Sequence, residues 1–391
     1  MNVLGLTATP IPVVRIGIVG LGMRGRRAVE RLCKIPGTQI SAICDVRRET
    51  VLSVQSNLRL DYAIDVKTYE GEDGFCRLCE DDEIDLVYVV TTWQTHVKIA
   101  LCAMNHGKHV AVEVPAALTV KECWDVVNTA EQTRRHCMML EKCVYDEFEM
   151  TCFNMAQQGF FGDVVHVKGG YLHSLENYWR DYSDNWRLEY NQKHAGDVYP
   201  THGLGPCCQL LGIHRGDNLD YLVSMSAESI TGKKIAREMM GTDDFANGDH
   251  TTTLIRTTSG RLIELQHNVM NPQPYSRMYQ IVGTDAFATK YPIQGIAQGH
   301  EFMSDEERQA LLTSYRPTIL TELYDTAVKT CGQEYWMDYV MDYRLINCLR
   351  EGLPLDMDVY DLAEWCCVSE LSEQSIRGGS IPVKIPNFVR G

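Results

Sequence analysis

Tyr199 and His202 are two titratable residues three positions apart in the segment 199–203, which reads YPTHG. The segment opens an apolar, helix-like run at 204–211, and a proline near a helix start is favourable. Side chains three apart on a helical turn can face the same pocket. Histidine accepts a proton near pH 7 and a tyrosine hydroxyl can donate one, so the pair predicts general acid–base catalysis. The alternative is a histidine that bonds the backbone beside a packed tyrosine.

A glycine-rich turn lies near the N-terminus, where residues 20–25 read GLGMRG after the apolar, β-branched stretch 13–19. In such a turn Gly20 permits a tight bend, Gly22 lets a pyrophosphate approach the backbone, and Gly25 allows close packing of the following helix. The amide groups at the start of that helix would face the phosphates. The pattern predicts a dinucleotide site, and the alternative is a tight turn without a ligand.

Asp45 stands 20 residues after Gly25, at the end of a predicted strand at 39–44. A carboxylate there accepts hydrogen bonds from the adenosine ribose and repels a 2′-phosphate, which favours NAD over NADP. Arg47 and Arg48 oppose this prediction, because an arginine at this position can hold the 2′-phosphate.

The elements that must position these residues form two predicted domains. Alternating strands and helices over 13–145 predict a Rossmann domain, a doubly wound parallel sheet. Residues 146–391 are predicted as a C-terminal α/β domain that binds the substrate. Its strands suit an open, mostly antiparallel sheet. Its last helices, at 336–350 and 359–376, are expected to pack back on the Rossmann domain.

Composition excludes several classes of function. The chain has 391 residues with 37 basic and 52 acidic side chains, a formal net charge of −15, which argues against a nucleic-acid partner. No apolar run approaches the roughly 18 residues of a membrane span. The 12 histidines form no HExxH pattern, and Cys76-x-x-Cys79 has no second pair, so no metal site is predicted.

The expected partner is a small molecule or a glycan, and the chain could form a homo-oligomer. Residues 1–12 carry no basic region and no long apolar stretch, so a cytoplasmic location is expected. A periplasmic location would require that an N-terminal signal had been removed.

Several motifs together resemble known families. The glycine run, the strand that ends near Thr91 and Glu113-Val114-Pro115 resemble the Gfo/Idh/MocA superfamily of NAD(P)-dependent sugar oxidoreductases. A closer resemblance is to glycoside hydrolase family 109, the NAD-dependent α-N-acetylgalactosaminidases. It is carried in both domains by GMRG at 22–25, WQTH at 93–96, EVPAA at 113–117, GDVYPTHG at 196–203 and PYSR at 274–277.

The resemblance implies a set of binding residues. For NAD they are Gly20, Gly22, Met23, Arg24, Gly25, Asp45, Trp93, Gln94, Thr95, His96, Glu113, Val114, Tyr199, Pro200, Thr201 and His202. Lys142 stands where the family usually has an asparagine that contacts the cofactor, and a lysine could still reach a hydroxyl. For the sugar they are Tyr171, whose surroundings match loosely, with Arg187, Tyr199 and Tyr275.

The residues themselves suit these roles, and each has a structural alternative. Arg187 can donate two hydrogen bonds to sugar hydroxyls or an amide oxygen, or it can pair with Glu189. Tyr275 lies in a loop flanked by prolines that could present its ring to a sugar, or it packs within the loop. Trp93 and His96 follow the carboxyl end of a strand, where open α/β sheets bind ligands. His96 equally suits a residue that starts a helix.

The resemblance implies a hydrolysis in which NAD is not consumed. Carbon 3 of the sugar is oxidised, the proton on carbon 2 is lost and the carbon-1 substituent is eliminated. Water then adds and carbon 3 is reduced again, with retained configuration. Dehydrogenases of the wider superfamily usually carry a lysine in Glu-Lys-Pro, and here that position is Val114, which cannot titrate. Two alternatives stay open, namely a sugar or polyol dehydrogenase and a non-catalytic NAD-binding protein.

Overall fold

The computed structural model describes residues 2–175, 178–179 and 186–390. The chain forms two compact units. The first comprises Met1–Lys142, Ile319–Ala363 and Phe388–Gly391, and the second comprises Cys143–Thr318 and Glu364–Asn387. Within the described ranges, no helix is long and apolar enough to cross a membrane.

Helices alternate with the strands along most of the chain. In chain order they are α1 (Met23–Leu32), α2 (Arg48–Tyr62), α3 (Gly74–Cys79), α4 (Trp93–Asn105), α5 (Val120–Thr133), α6 (Glu147–Gln157), α7 (Trp186–Lys193), α8 (Thr201–Leu211), α9 (Thr231–Met240), α10 (Asp305–Tyr315), α11 (Thr318–Cys331), α12 (Trp336–Glu351) and α13 (Val359–Arg377). A short 3₁₀ helix spans Lys142–Tyr145.

The first unit contains a parallel sheet. Its strands are β1 (Val14–Val19), β2 (Thr38–Asp45), β3 (Lys67–Glu70), β4 (Leu86–Val89), β5 (His109–Val112) and β6 (Cys137–Met139). The order β3-β2-β1-β4-β5-β6 reverses direction at β1, and every pairing is parallel. This confirms the predicted doubly wound Rossmann sheet. Ligands bind at the switch point of such a sheet, outside the carboxyl ends of the strands.

A buried polar contact fixes α12 within the first unit. The guanidinium of Arg31, on α1, donates to Oδ2 of Asp342 on α12 across 2.6 Å. The hydroxyl of Tyr88, on β4, donates to the other oxygen of Asp342 across 3.0 Å. All three side chains are buried. A buried charge that is paired and hydrogen-bonded specifies one arrangement, so these bonds fix the position of α12 beside the sheet.

The second unit contains a larger, mixed sheet. Its described strands are β7 (Val164–Leu172), β8 (Leu219–Ser226), β9 (Thr251–Thr257), β10 (Leu262–Asn268), β11 (Gln280–Gly283), β12 (Phe287–Thr289), β13 (Gly295–Ala297) and β14 (Val383–Lys384). Their order is β13-β12-β11-β7-β10-β9-β8-β14, and all pairings are antiparallel except that of β7 with β10. The predicted open, mostly antiparallel sheet is therefore confirmed.

Helix α8 packs closely on β7 because both elements carry glycine at the contact. A Cβ atom on Gly203 would lie 2.1 Å from the backbone nitrogen of Gly170. A Cβ atom on Gly169 would lie 2.3 Å from the carbonyl oxygen of Gly203. Neither distance admits a side chain. This contact brings the first turn of α8 beside the end of β7, where the candidate catalytic residues lie.

Candidate active site and cofactor site

The glycine turn of the first unit has the geometry that a dinucleotide requires. Gly20 has φ +97°, and a Cβ there would lie 2.4 Å from the carbonyl oxygen of Val90. A Cβ on Gly25 would lie 2.0 Å from the carbonyl oxygen of Gly20. Gly22 differs from both, because a Cβ there would meet nothing within 4 Å. The space beside Gly22 is open to a ligand, as predicted for the glycine that a pyrophosphate approaches.

The N-terminus of α1 also suits an anion. Gly22 occupies the cap position with no side-chain hydrogen bond, and the first turn holds no acidic residue. The amide groups and positive partial charge of a first helical turn attract phosphate oxygens. Met23, in this turn, is half exposed, so its side chain is accessible. The residues present therefore fit the pyrophosphate of NAD.

Asp45 lies at the end of β2 and is buried. Its Oδ2 accepts from the backbone amide of Leu21 across 2.8 Å, and its Oδ1 accepts from the amide of Arg47 across 3.0 Å. Each carboxylate oxygen can accept a second hydrogen bond, so a ribose hydroxyl can still be bound. The guanidiniums of Arg47 and Arg48 are mostly exposed, and each lies 3.7 Å from a carboxylate, of Asp45 and Glu70 respectively.

A group of four charged side chains lies at the carboxyl ends of the strands in the first unit. Arg24 donates to Glu113 across 2.7 Å and to Asp338 across 3.2 Å. Lys142 donates to the other oxygen of Asp338 across 2.8 Å. Burial would raise the pKa of Asp338, but Lys142 and Arg24 outweigh it and lower that pKa to about 2. Three predicted cofactor residues thus meet around Asp338, which sequence reasoning did not single out.

His96 has a structural contact at both ring nitrogens. Nδ1 lies 2.9 Å from the carbonyl oxygen of Pro115, and Nε2 lies 3.0 Å from that of Thr91. Burial lowers the pKa of His96, and its side chain is fully enclosed. The ring therefore joins the start of α4 to the segment after β5, which agrees with the alternative of a helix-start residue.

The other predicted residues of this edge lie as follows. Trp93, Gln94 and Thr95 form the first turn of α4, where Thr92 caps the helix without a side-chain hydrogen bond. Trp93 is buried, whereas Gln94 is exposed. Val114 is buried and follows Glu113, whose Oε2 accepts from the Val114 amide across 3.2 Å. The position of the superfamily lysine therefore carries an apolar side chain.

In the second unit, the structure brings together the three tyrosines predicted at the sugar site and the predicted catalytic residue His202. The rings of Tyr171 and Tyr199 lie 4.7 Å apart between centroids, and His202 lies 4.9 Å from Tyr199 and 5.4 Å from Tyr171. Tyr275 lies 6.5 Å from Tyr171. Pro200 caps α8, so Tyr199 precedes the helix and His202 lies in its first turn. The two predicted proton-transfer residues do face each other.

Arg187 and His173 complete this aromatic cluster. The guanidinium carbon of Arg187 lies 5.0 Å from the ring centre of Tyr199, which places a buried cation against the cluster. The Tyr171 hydroxyl lies 3.0 Å from Nδ1 of His173. Burial, with the charges of Arg187 and His202, lowers the pKa of His173 to about 4. His173 is therefore neutral at pH 7 and can bond the Tyr171 hydroxyl as acceptor or as donor.

The segment before α8 carries two buried polar groups. Asp197 accepts from the backbone amide of Tyr199 across 3.3 Å, and its burial raises its pKa to about 7. The hydroxyl of Thr201 is buried and has no hydrogen-bond partner in the part of the chain that the structure describes. A buried, unsatisfied hydroxyl suits a ligand contact. The predicted contacts of Tyr199, Pro200, Thr201 and His202 with NAD stay predictions.

Tyr275 is held by a buried ionic cluster. Arg277 donates to the Tyr275 hydroxyl across 3.2 Å and to the carboxylates of Asp146 and Glu149 across 2.9 and 2.6 Å. Lys290 donates to Glu149 across 2.8 Å. Burial, with the charge of Asp146, raises the pKa of Glu149 to about 7. Arg277 thus orients the Tyr275 hydroxyl.

Sequence reasoning missed His173, His267, Asp197 and Arg277. Asp197 and Arg277 could have been found from the sequence, since they lie inside the quoted motifs GDVYPTHG and PYSR. His173 stands two residues after Tyr171, where the alternation of a strand would place it on the same face. His267 gave no signal, because only the pairing of β10 with β7 brings it beside Tyr171.

Two sequence families match this chain, one over its N-terminal part and one over the rest. The sequence model described as the glycosyl hydrolase 109 C-terminal domain matches residues 145–391. The model described as an oxidoreductase family with an NAD-binding Rossmann fold matches residues 14–141. A glycosyl hydrolase family 109 protein of Porphyromonas gingivalis is 53% identical over 410 aligned residues, which cover 100% of this chain and 87% of the relative.

Two further proteins bear on substrate and fold. A Bacteroides fragilis protein named alpha-N-acetylgalactosaminidase is 48% identical to this chain. The alignment covers 100% of this chain and 95% of that protein. The WlbA dehydrogenase of Bordetella pertussis, solved in complex with NADH and UDP-GlcNAcA, superposes with a TM-score of 0.72 at 13% identity. That alignment covers 97% of this chain and 99% of the dehydrogenase. At this identity the likeness establishes the fold alone.

Proposed function

The chain belongs to glycoside hydrolase family 109, and on that premise we propose that it hydrolyses α-N-acetylgalactosaminides with retained configuration. The family match confirms the predicted glycoside hydrolase, and the match of residues 14–141 confirms NAD as its cofactor. The substrate is proposed because a relative with 48% identity over this whole chain is named for it.

The observation that carries the proposal is the mutual approach of Tyr171, Tyr199 and His202. Their ring centroids lie 4.7 to 5.4 Å apart, and all three side chains are buried. Aromatic rings can pack against the apolar face of a sugar, while hydroxyl and imidazole groups bond its polar edge. This cluster of the second unit therefore supports the proposal of a sugar-binding site with its own proton-transfer groups.

NAD, when bound, supplies a hydride acceptor and donor for carbon 3 of the sugar. His202 is proposed to remove the proton from carbon 2, since an imidazole nitrogen can accept a proton. Tyr199 is proposed to donate a proton to the departing glycosidic oxygen. Arg187, which lies against the Tyr199 ring, is proposed to hold hydroxyls or the amide oxygen of the sugar. Val114 cannot titrate, so the proton transfers are assigned in this proposal to His202 and Tyr199.

Purified protein loaded with NAD+ and given a panel of nitrophenyl α- and β-glycosides tests the proposal. We expect release of nitrophenol from the α-N-acetylgalactosaminide, dependence on NAD+, and no steady rise in NADH absorbance. Stoichiometric NADH with an oxidised sugar product would favour a dehydrogenase instead. Binding of NAD without turnover of any glycoside or free sugar would favour a non-catalytic role.

A further inference from the structure

His267 is a buried histidine with no protein hydrogen bond. It lies near the end of β10 and is 1% exposed. Neither Nδ1 nor Nε2 has a hydrogen-bond partner in the described parts of the chain. Burying a polar group without a hydrogen bond is unfavourable, so native proteins retain few such groups without a reason. The surroundings of His267 supply such a reason.

The pairing of the strands places His267 in the aromatic cluster. β7 and β10 run parallel, and Tyr171 pairs with His267 in their register, so both side chains lie on the same face of the sheet. That is the face on which α8 packs against Gly169. The ring centroids of Tyr171 and His267 are 6.4 Å apart. His267 therefore belongs to the cluster formed by Tyr171, Tyr199 and His202.

The electrostatic surroundings keep the ring neutral. Burial, with the charges of Arg187 and His250, lowers the pKa of His267 to about 3. A neutral imidazole has one N–H donor and one acceptor nitrogen. An acetamido group has a carbonyl acceptor and an N–H donor, so it can form a hydrogen bond with whichever ring nitrogen faces it. Because its lowered pKa makes His267 a weak base, a binding role suits this ring better than proton transfer.

We propose that His267 is a substrate-binding residue that hydrogen-bonds the 2-acetamido group and thereby determines specificity for N-acetylated sugars. The assignment rests on the proposed function. Because His267 is buried, the contact requires a substituent that projects from the sugar ring, and the 2-acetamido group projects further than a hydroxyl does. Arg187 would supply the adjacent positive charge that favours a carbonyl oxygen.

The decisive measurement compares kcat/KM for nitrophenyl α-N-acetylgalactosaminide and α-galactoside in the NAD-loaded enzyme. His267→Leu removes the hydrogen bonds and keeps an apolar side chain. It should lower kcat/KM about tenfold for the acetamido substrate, chiefly through KM, as loss of one neutral hydrogen bond predicts. The α-galactoside value should change less than about twofold. His267→Gln, which can both donate and accept, should restore part of the loss.

A matched control removes another buried histidine. His136 lies just before β6, is 4% exposed, and also has an unsatisfied ring nitrogen, Nε2. His136→Leu should leave the ratio of the two kcat/KM values unchanged. If His267→Leu leaves the ratio of the two kcat/KM values unchanged, whether or not both values fall, the proposal for His267 is wrong while the proposed function stands.

A second measurement does not depend on turnover. The measurement is an NMR titration of NAD-loaded protein with ¹⁵N-labelled histidine. The imidazole signals of His267 are identified by their absence from the spectrum of His267→Leu, and N-acetylgalactosamine should shift them. Galactose should leave them unchanged. If neither sugar shifts these signals, the proposed role of His267 is wrong. If no glycoside is hydrolysed, the proposed function fails, and the selective shift would still support the acetamido contact.

Discussion

Nζ of Lys142 lies 2.8 Å from Oδ2 of Asp338, in the first turn of α12, while Arg24 reaches the other carboxylate oxygen. The Lys142 side chain is largely buried and that of Asp338 is fully buried. The family resemblance implies a cofactor contact at the position of Lys142. In this chain the ammonium group is bound to Asp338, so it contributes to holding α12 beside Arg24 and Glu113, two of the predicted cofactor residues.

Replacing Lys142 with Ala should destabilise the protein by about 1–3 kcal/mol, because a buried carboxylate loses one of its two cationic partners. Urea unfolding followed by circular dichroism measures the change. Lys121→Ala is the control, since its ion pair with Asp125 is solvent-exposed and should contribute no more than about 0.5 kcal/mol. If Lys142→Ala keeps full stability but weakens NAD binding at least about tenfold, the lysine contacts the cofactor instead.

Asp45 should determine the preference for NAD over NADP. Asp45→Ala removes the ribose acceptor, and it also leaves the amides of Leu21 and Arg47 without their carboxylate. We expect NAD affinity to fall about tenfold or more, and discrimination against NADP to be largely lost. Calorimetric titration of apo-protein with both cofactors measures this, with Arg59→Ala, at an exposed position of α2, as the control. Equal or tighter binding of NADP by the unmodified protein would show that Arg47 or Arg48 dominates.

The sequence predicted the Rossmann sheet because its signals are local. The apolar stretch at 13–19, the glycine turn and Asp45 fall within one βαβ unit, and the observed β1, α1 and β2 match them. Helix α2 was missed because its buried side chains are only Val51, Val54 and Leu58 along 15 residues. Helix α10 buries no residue and is fixed at its start by a capping box between Ser304 and Glu307, so it shows no apolar periodicity.

Site residues that lie in sequence motifs could be predicted, whereas those brought to the site only by tertiary contacts could not. Tyr199 and His202 were found because three residues separate them in the sequence. Arg277 contacts Asp146 across 131 positions, and His267 reaches Tyr171 only through the parallel pairing of β10 with β7. Strand register and crossover order depend on the whole fold, so short-range spacing could not indicate these partners.

Asp197 should make stability depend on pH. Its folded-state pKa, raised by burial to about 7, lies above the value of about 4 in an unfolded chain. The folded protein therefore holds one more proton between these values, and stability falls as the pH rises from about 4 to about 7. Asp197→Asn abolishes that titration and should be more stable than the unmodified protein at pH 8 by about 2–4 kcal/mol.

Urea unfolding at pH 5 and pH 8 tests this difference. The Asn variant should lose less stability between the two pH values than the unmodified protein does. Asp82→Asn, at an exposed position, should behave like the unmodified protein. An identical pH dependence in Asp197→Asn would show that Asp197 is ionised in the folded state at both pH values.

His202 and Tyr199 form the proposed proton-transfer pair. His202→Ala should lower turnover of an α-N-acetylgalactosaminide about 10²–10⁴-fold, the usual cost of losing a general base. NAD affinity should change less than turnover does, because the glycine turn and Asp45 remain. Tyr199→Phe keeps the ring beside Tyr171 and removes only the hydroxyl, so it should weaken both sugar binding and turnover.

Deuterium incorporation separates the two roles. Loss of the carbon-2 proton is the step that distinguishes this mechanism from one with two carboxylates, so product formed in D₂O should carry deuterium at carbon 2. His202→Ala should lose this exchange together with hydrolysis, because both require the base. Tyr199→Phe should retain exchange while hydrolysis slows, since proton removal precedes departure of the glycosidic oxygen. Near-normal turnover and exchange in His202→Ala would instead make His202 structural and leave Tyr199 as the candidate base.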